Sequence, residues 1–400
     1  FFQAEDGIRD VAVTGVQTCA LPISFHHRGV YTERTLVILE SPDGNGINVR
    51  ASTNLLRPSH LFPHLKQGNQ LMLKRALDFY LTKQAYNREY GLEGDRYAAF
   101  LERIARQYGE FAARLEDEYI FCWLDWDGDN MLLDGGIIDY GSIRQFGLCH
   151  HRYRYDDVDR FSTNLREQRA KARYLVQICA QMVDFVRTGE KKHLRKFADA
   201  PCLGDFDRTY SRTISDCLLR RVGFSRPQRE RCLAERSDLV AEFERAYRFF
   251  ERRESPRGLR RVPDGVNNPA IFSAHTLLRE LPRKLLLERR ALETQELLSL
   301  MKTPHLSRKE MQNSVYAFPS VRLQRVYLEL LRFAHKAKLF QRALLETAMR
   351  AGTQNRAGYA TGDGIIHVVD FLLKSRRRLS RNDVQALIEA FIGEIGRAHV

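Results

Sequence analysis

Apolar residues recur at alternating spacings of four and three through Tyr97, Leu101, Ile104, Tyr108, Phe111 and Leu115, which places them on one face of an α-helix. Further stretches with this period cover about residues 157–186, 229–250, 274–301 and 321–349. Ser307 and Glu310 carry the spacing of a capping box, in which each side chain satisfies the other's backbone N–H. Before these helices the pattern is different. Residues 35–39 and 47–50 read as two short strands joined by the turn-rich Ser41-Pro42-Asp43-Gly44-Asn45-Gly46. The fold class expected is therefore α+β and mostly helical. The charged, Pro- and Gly-bearing run 252–268 reads as a linker. The loop 352–364 is rich in glycine but lacks the Gly-Lys-Ser/Thr ending of a phosphate cradle.

The two ends fit no such pattern. Residues 1–24, with Glu5, Asp6 and Asp10 leading and no apolar core behind them, do not read as a secretory signal. They resemble a translated sequencing-library adapter. One codon set for Ala20-Leu21-Pro22-Ile23 has a reverse complement that encodes Ile395-Gly396-Arg397-Ala398 in another frame, so residues 394–400 read as the same oligonucleotide inverted. The expectation is that 25–393 is a fragment cut at both ends.

About 370 residues then remain, enough for two packed units at roughly 100 to 200 residues each. No run approaches 18 apolar residues, so no membrane partner is expected. The net charge of +14 is spread along helices that are also rich in Glu and Asp, which favours a solvated helical surface over a nucleic-acid face. Cys122, Cys149, Cys179, Cys202, Cys217 and Cys232 form no CxxC pair and read as reduced, mostly structural thiols in a cytoplasmic protein. Cys149-His150-His151 is a poor zinc candidate, since adjacent side chains rarely converge on one ion.

Candidate chemistry is concentrated between Asp125 and Gly141. Asp134-Gly135 sits between Met131-Leu132-Leu133 and Gly136-Ile137-Ile138, which predicts a hairpin with a two-residue turn. Counting outward pairs Leu132 with Ile137, Met131 with Ile138 and Asn130 with Asp139. An amide oxygen and a carboxylate directly opposed in this way can share a magnesium ion that also holds phosphates, as in protein-kinase-like sites. A calcium loop starting at Asp125 fails, because its sixth and twelfth positions are Asn130 and Gly136 rather than Gly and Glu. An acidic turn with no ligand remains the bland alternative.

These residues resemble the selenoprotein O family, whose hallmark matches Asp129-Asn130-Met131 and Ile138-Asp139-Tyr140-Gly141. Gly29-Val30-Tyr31-Thr32-Glu33-Arg34-Thr35-Leu36, the pair Arg50 and Arg57, and Arg152-Tyr153-Arg154-Tyr155 are similar to other family motifs, so the resemblance covers about residues 29–155. It implies a protein-kinase-like fold: a truncated N-lobe at 25–66, a helical C-lobe at 67–251, the linker at 252–268 and a helical extension at 269–393. It implies transfer of AMP from ATP to Ser, Thr or Tyr hydroxyls of partner proteins, with Mg2+ or Mn2+ as cofactor. Asp129 would accept the proton, Arg50, Arg57 and Asp139 would contact ATP, and Asn130 with Asp139 would hold the metal. The family's loop before Asp129 is replaced here by Trp123-Leu124-Asp125-Trp126-Asp127-Gly128. That puts Asp125 five residues before Asn130, the spacing of the catalytic aspartate in ordinary kinases. Phosphotransfer through Asp125, or a pseudokinase-like binding module, are the alternatives. No glycine-rich phosphate loop or strand lysine with its glutamate is recognised, so this chain alone is expected to be inactive.

Overall fold

A computed structural model of the chain describes residues 25, 31–40, 46–52, 54–86, 94–122, 128–138, 143–146, 152–153, 163–255, 270–335, 340–355, 360–361, 378–380, 382–383 and 386–387. In chain order these form strands β1 (Arg34–Glu40) and β2 (Gly46–Ala51), then helices α1 (Phe62–Lys66), α2 (Gln70–Tyr86) and α3 (Arg96–Asp117). The short strands β3 (Phe121–Cys122) and β4 (Ile143–Phe146) come next, followed by α4 (Leu165–Thr188), α5 (Pro201–Val222), α6 (Arg226–Glu235) and α7 (Ser237–Glu251). The last helices are α8 (Ala274–Glu288), α9 (Thr294–Met301), α10 (Arg308–Met311), α11 (Ala317–His335) and α12 (Phe340–Gln354). The described architecture is α+β and mostly helical, as the periodicity predicts. No helix among the described residues is long and apolar enough to cross a membrane.

The chain divides into two compact units, one of residues 1–145, 165–213 and 361–392 and the other of 146–164, 214–360 and 393–400, so that one boundary falls within α5 between Thr213 and Ile214. The segment 252–268 falls inside the second unit, and 256–269 lie outside the described residues.

In the first unit, β1 and β2 pair antiparallel from Arg34↔Ala51 to Glu40↔Gly46, with an irregularity between Thr35 and Val37. Helix α3 starts at Asp95, whose carboxylate accepts from the Tyr97 and Ala98 amides and also pairs with Arg187. Those backbone and guanidinium donors hold its carboxyl below the usual range. The stripe Phe100, Ile104, Tyr108, Phe111 and Leu115 is buried against α4, which contributes Ala172, Leu175, Val176 and Val183. On another face, Gly109 lets α5 approach closely, since a Cβ there would sit 2.8 Å from the Phe206 carbonyl oxygen. Helix α2 escapes a simple pattern because it buries Leu73, Leu77, Tyr80 and Leu81 while exposing Leu71, Met72 and Phe79.

In the second unit, three of the predicted long helices are each divided in two. The period over 229–250 breaks at Arg236, between α6 and α7. The period over 274–301 breaks at Arg289, which takes a left-handed conformation with φ 54° after α8. The period over 321–349 is shared by α11 and α12, with 336–339 outside the described residues. The Ser307–Glu310 capping box forms as expected. The core is aromatic at its centre: Phe272 meets Phe250 at 5.7 Å and Tyr316 at 5.3 Å, both edge-on, and Phe243 lies 6.1 Å from Tyr327. Across both units, Cys179, Cys202, Cys217 and Cys232 are buried and none of them is disulfide-bonded. Burial pushes the thiols of Cys179, Cys202 and Cys232 up, the last to about 11, which suits inert packing groups rather than nucleophiles.

Candidate active site

A hairpin over residues 128–138, whose Met131–Ile138 stretch is wholly buried, lies at the centre of the first unit. Its turn is set by glycines. Gly135 and Gly136 have φ of 84° and 120°, and a Cβ on Gly136 would fall 2.7 Å from a Tyr31 ring carbon and 2.8 Å from the Tyr31 carbonyl oxygen. Only glycine satisfies both the positive φ and that approach.

These glycines also move the register. The predicted two-residue turn needs positive φ at Asp134 and Gly135, whereas the chain places it at Gly135 and Gly136. Met131 consequently pairs with Ile137, the Leu132 amide donates to the Gly136 carbonyl at 3.0 Å, and the Gly135 amide closes on the Leu132 carbonyl at 3.0 Å. The predicted register is therefore off by one residue. Asn130 receives the Ile138 amide at 3.1 Å on its carbonyl, so it stands opposite Ile138 and not Asp139. Directly opposed side chains no longer argue for a shared metal. Asp125, Asp139, Tyr140 and Gly141 lie outside the described residues.

Three segments distant in sequence hold the hairpin. Thr32 bridges Ile137 in parallel and donates its hydroxyl to the Ile137 carbonyl at 3.0 Å. The Leu133 amide donates to Leu56 at 2.8 Å, and the Ser59 amide donates to Gly128 at 2.9 Å. From α3, the Tyr108 hydroxyl donates to the Leu132 carbonyl at 3.0 Å. Gly128, at φ 95°, packs so closely on Phe62 and Pro58 that a Cβ would overlap the Phe62 ring.

This scaffold brings four predicted residues together. Arg57 donates from Nη1 to both the backbone carbonyl and Oδ1 of Asp129, each at 3.1 Å. The Ser59 hydroxyl donates to the same Oδ1 at 3.1 Å. Arg50 donates from Nη1 to the Ile138 carbonyl at 3.1 Å and to the buried Glu33 carboxylate at 2.6 Å. It thus grips the strand one residue before Asp139. Asn130 is half-buried beside Asp129, whose side chain is 62% exposed. Arg57 brings positive charge to a carboxylate that water can reach, whereas the charge of Arg50 is met by Glu33.

Ser59 and Glu33 are partners that sequence reading did not single out. Their signal was only adjacency, since Ser59 lies two residues beyond Arg57 and Glu33 lies within the matched entry motif. Asp134, read from the sequence only as a turn residue, is a third. It is buried in the turn, its Oδ2 accepts from the Tyr31 hydroxyl at 3.3 Å, and its Oδ1 has no hydrogen-bond partner. Burial raises its carboxyl to about 7, against smaller opposing effects of a backbone amide, Tyr31 and Arg103. Burial likewise lifts the Tyr108 phenol far above its ordinary value. No protein-family model matches the chain, and no curated protein matches it.

Proposed function

We propose that the protein to which this chain belongs is an ATP- and magnesium-dependent protein adenylyltransferase of kinase-like fold. The observation that carries the reading is the contact of Arg57 with Asp129, with Arg50 anchored on the Ile138 carbonyl next to Asp139. Four residues picked out in a family motif thereby converge on one hairpin although 80 positions separate Arg50 from Asn130.

In this reading the exposed Asp129 carboxylate takes the proton of an acceptor Ser, Thr or Tyr hydroxyl. The hydroxyl oxygen forms its bond to the α-phosphorus of ATP as the bond from that phosphorus to the bridging oxygen breaks, and pyrophosphate leaves. Arg50 and Arg57 offset the phosphate charge, and an arginine fork suits that task because its N–H groups match phosphate oxygens in pairs. Arg57 then exchanges its hold on Asp129 for one on phosphate, and Ser59 keeps the carboxylate oriented. The amide oxygen of Asn130 and the carboxylate of Asp139 are hard oxygen donors of the kind magnesium takes, so they fit that ion chemically and would hold it. The ion would neutralise phosphate charge there.

The test is label transfer to proteins of a cell lysate by the protein to which this chain belongs, with ATP labelled on the α- or γ-phosphate. Transfer from α alone, abolished by Asp139→Ala and by Asp129→Asn, is the expected result. Transfer from γ alone, lost with Asp125→Asn, would replace this reading by phosphotransfer. Magnesium-dependent ATP binding without any transfer would replace it by a binding module.

A further inference from the structure

The reaction proposed above needs a hydroxyl that donates to Asp129 and lies beside the phosphates of ATP. The first unit already supplies a hydroxyl that meets the first condition. Ser59 Oγ donates to Asp129 Oδ1 at 3.1 Å. The Ser59 amide also donates to the Gly128 carbonyl at 2.9 Å. The serine is therefore held against residues 128 and 129 by its backbone as well as its side chain, as a bound acceptor residue would be. It is half-buried, and the Asp129 side chain beside it is 62% exposed, so the pair faces solvent from which a nucleotide can enter. Other hydroxyls around the hairpin are engaged elsewhere: Thr32 and Tyr108 donate to the carbonyls of Ile137 and Leu132, and Tyr31 donates to Asp134.

The second condition follows from Arg57. Its Nη1 bonds the same Asp129 Oδ1 at 3.1 Å. Two such bonds to one oxygen leave Ser59 Oγ no more than about 6 Å from the guanidinium nitrogen. A phosphate oxygen that Arg57 takes at the usual ~2.9 Å thus comes to rest beside the serine hydroxyl. An acceptor already fixed in the chain also needs no encounter with a second molecule, and that loss of freedom is the larger part of many transfer barriers.

We propose that Ser59 is a built-in acceptor, adenylylated by the site it adjoins. The inference rests on the adenylyltransferase reading. The Ser59 hydroxyl proton passes to Asp129 as Oγ bonds the α-phosphorus. The bond from that phosphorus to the bridging oxygen breaks, and its electron pair leaves with pyrophosphate. The product has no O–H with which to hold Asp129, and its phosphodiester anion draws Arg57 away from the carboxylate. Modification is therefore limited to one AMP at this position, and it closes the site to acceptor hydroxyls of other proteins.

The test is incubation of the protein to which this chain belongs with ATP and magnesium and no other protein, followed by intact mass and peptide mapping. The expected result is one AMP on Ser59, added at a fractional rate that does not change over a tenfold dilution of the protein. Asp129→Asn should slow it by about a hundredfold or more. Ser59→Thr keeps a hydroxyl and should accept AMP at the same position, whereas Ser59→Ala should not. Lysate proteins labelled from α-labelled ATP while Ser59 stays unmodified would overturn this inference and leave the adenylyltransferase reading standing. AMP mapping only to other residues, or a rate that falls in proportion to dilution, would overturn it in the same way. No transfer to any protein would overturn both.

Discussion

Replacing Asp134 by asparagine should abolish a pH dependence of stability that the buried turn imposes. In the folded chain this carboxyl titrates at about 7 against an ordinary value of 3.8, because burial disfavours its charged form more than the Tyr31 hydroxyl and Arg103 favour it. The folded state therefore binds the proton more tightly than the unfolded state. Its contribution is fully present below about pH 4, declines as the pH rises through 7 and is absent above. A rise of this size, at about 1.4 kcal/mol per pH unit, is worth about 4 kcal/mol between those limits. The side-chain amide of the variant has no proton to lose over that range, and any fixed cost of burying it cancels when one pH is compared with another. Urea unfolding at pH 4, 6 and 8 is the assay. The stability of Asp134→Asn relative to the parent should improve by about 2–4 kcal/mol from pH 4 to pH 8. Parallel curves for the two proteins across this range would refute the reasoning, since they would mean that the turn is hydrated or that Asp134 is matched by a donor.

Two further substitutions probe the packing that supports the site and the second unit. Gly136→Ala places a methyl group within 2.8 Å of the Tyr31 carbonyl at a φ of 120° and should cost about 1–3 kcal/mol in the same unfolding assay, so a neutral effect would contradict the close approach of Tyr31. Phe250→Ala removes a fully buried ring that meets Phe272 edge-on and should cost about 3–5 kcal/mol, and a loss below about 1 kcal/mol would mean that the aromatic cluster is not the centre of that core.

The residues that were legible in the sequence are those whose local chemistry leaves one choice. The pairing of β1 with β2 follows from two short apolar strands close together in sequence, and α3 from an unbroken apolar stripe capped by Asp95. Helix α5 carries the same kind of signal in Leu203, Phe206, Tyr210, Ile214 and Cys217, and it was available to the same reasoning. The breaks at Arg236 and Arg289 were not legible, because neither is a glycine or a proline. The hairpin at 128–138 was legible in kind but not in register. The pairs Asp134-Gly135 and Gly135-Gly136 compete for the positive φ positions, and the close approach of Tyr31 to Gly136 favours the second. The meeting of Arg57 with Asp129 followed from no local rule, since the pair is 72 residues apart and was suggested only through the family motif.

That distance in sequence has a kinetic consequence. The contacts that fix the hairpin join positions 72, 88 and 105 residues apart, from Asp129 to Arg57, from Ile138 to Arg50 and from Ile137 to Thr32. None of them can form until long loops close, and that entropy is lost before any bond repays it. Helices such as α3, built from local bonds, can form first and present Tyr108 as a template for the hairpin. The candidate site is then a late-assembling part of the first unit, and it is also the part that can open without melting the helices around it. The amide protons of Ser59 and Leu133, each bonded across such a loop, would report that opening by exchanging earlier than those at the middle of α3.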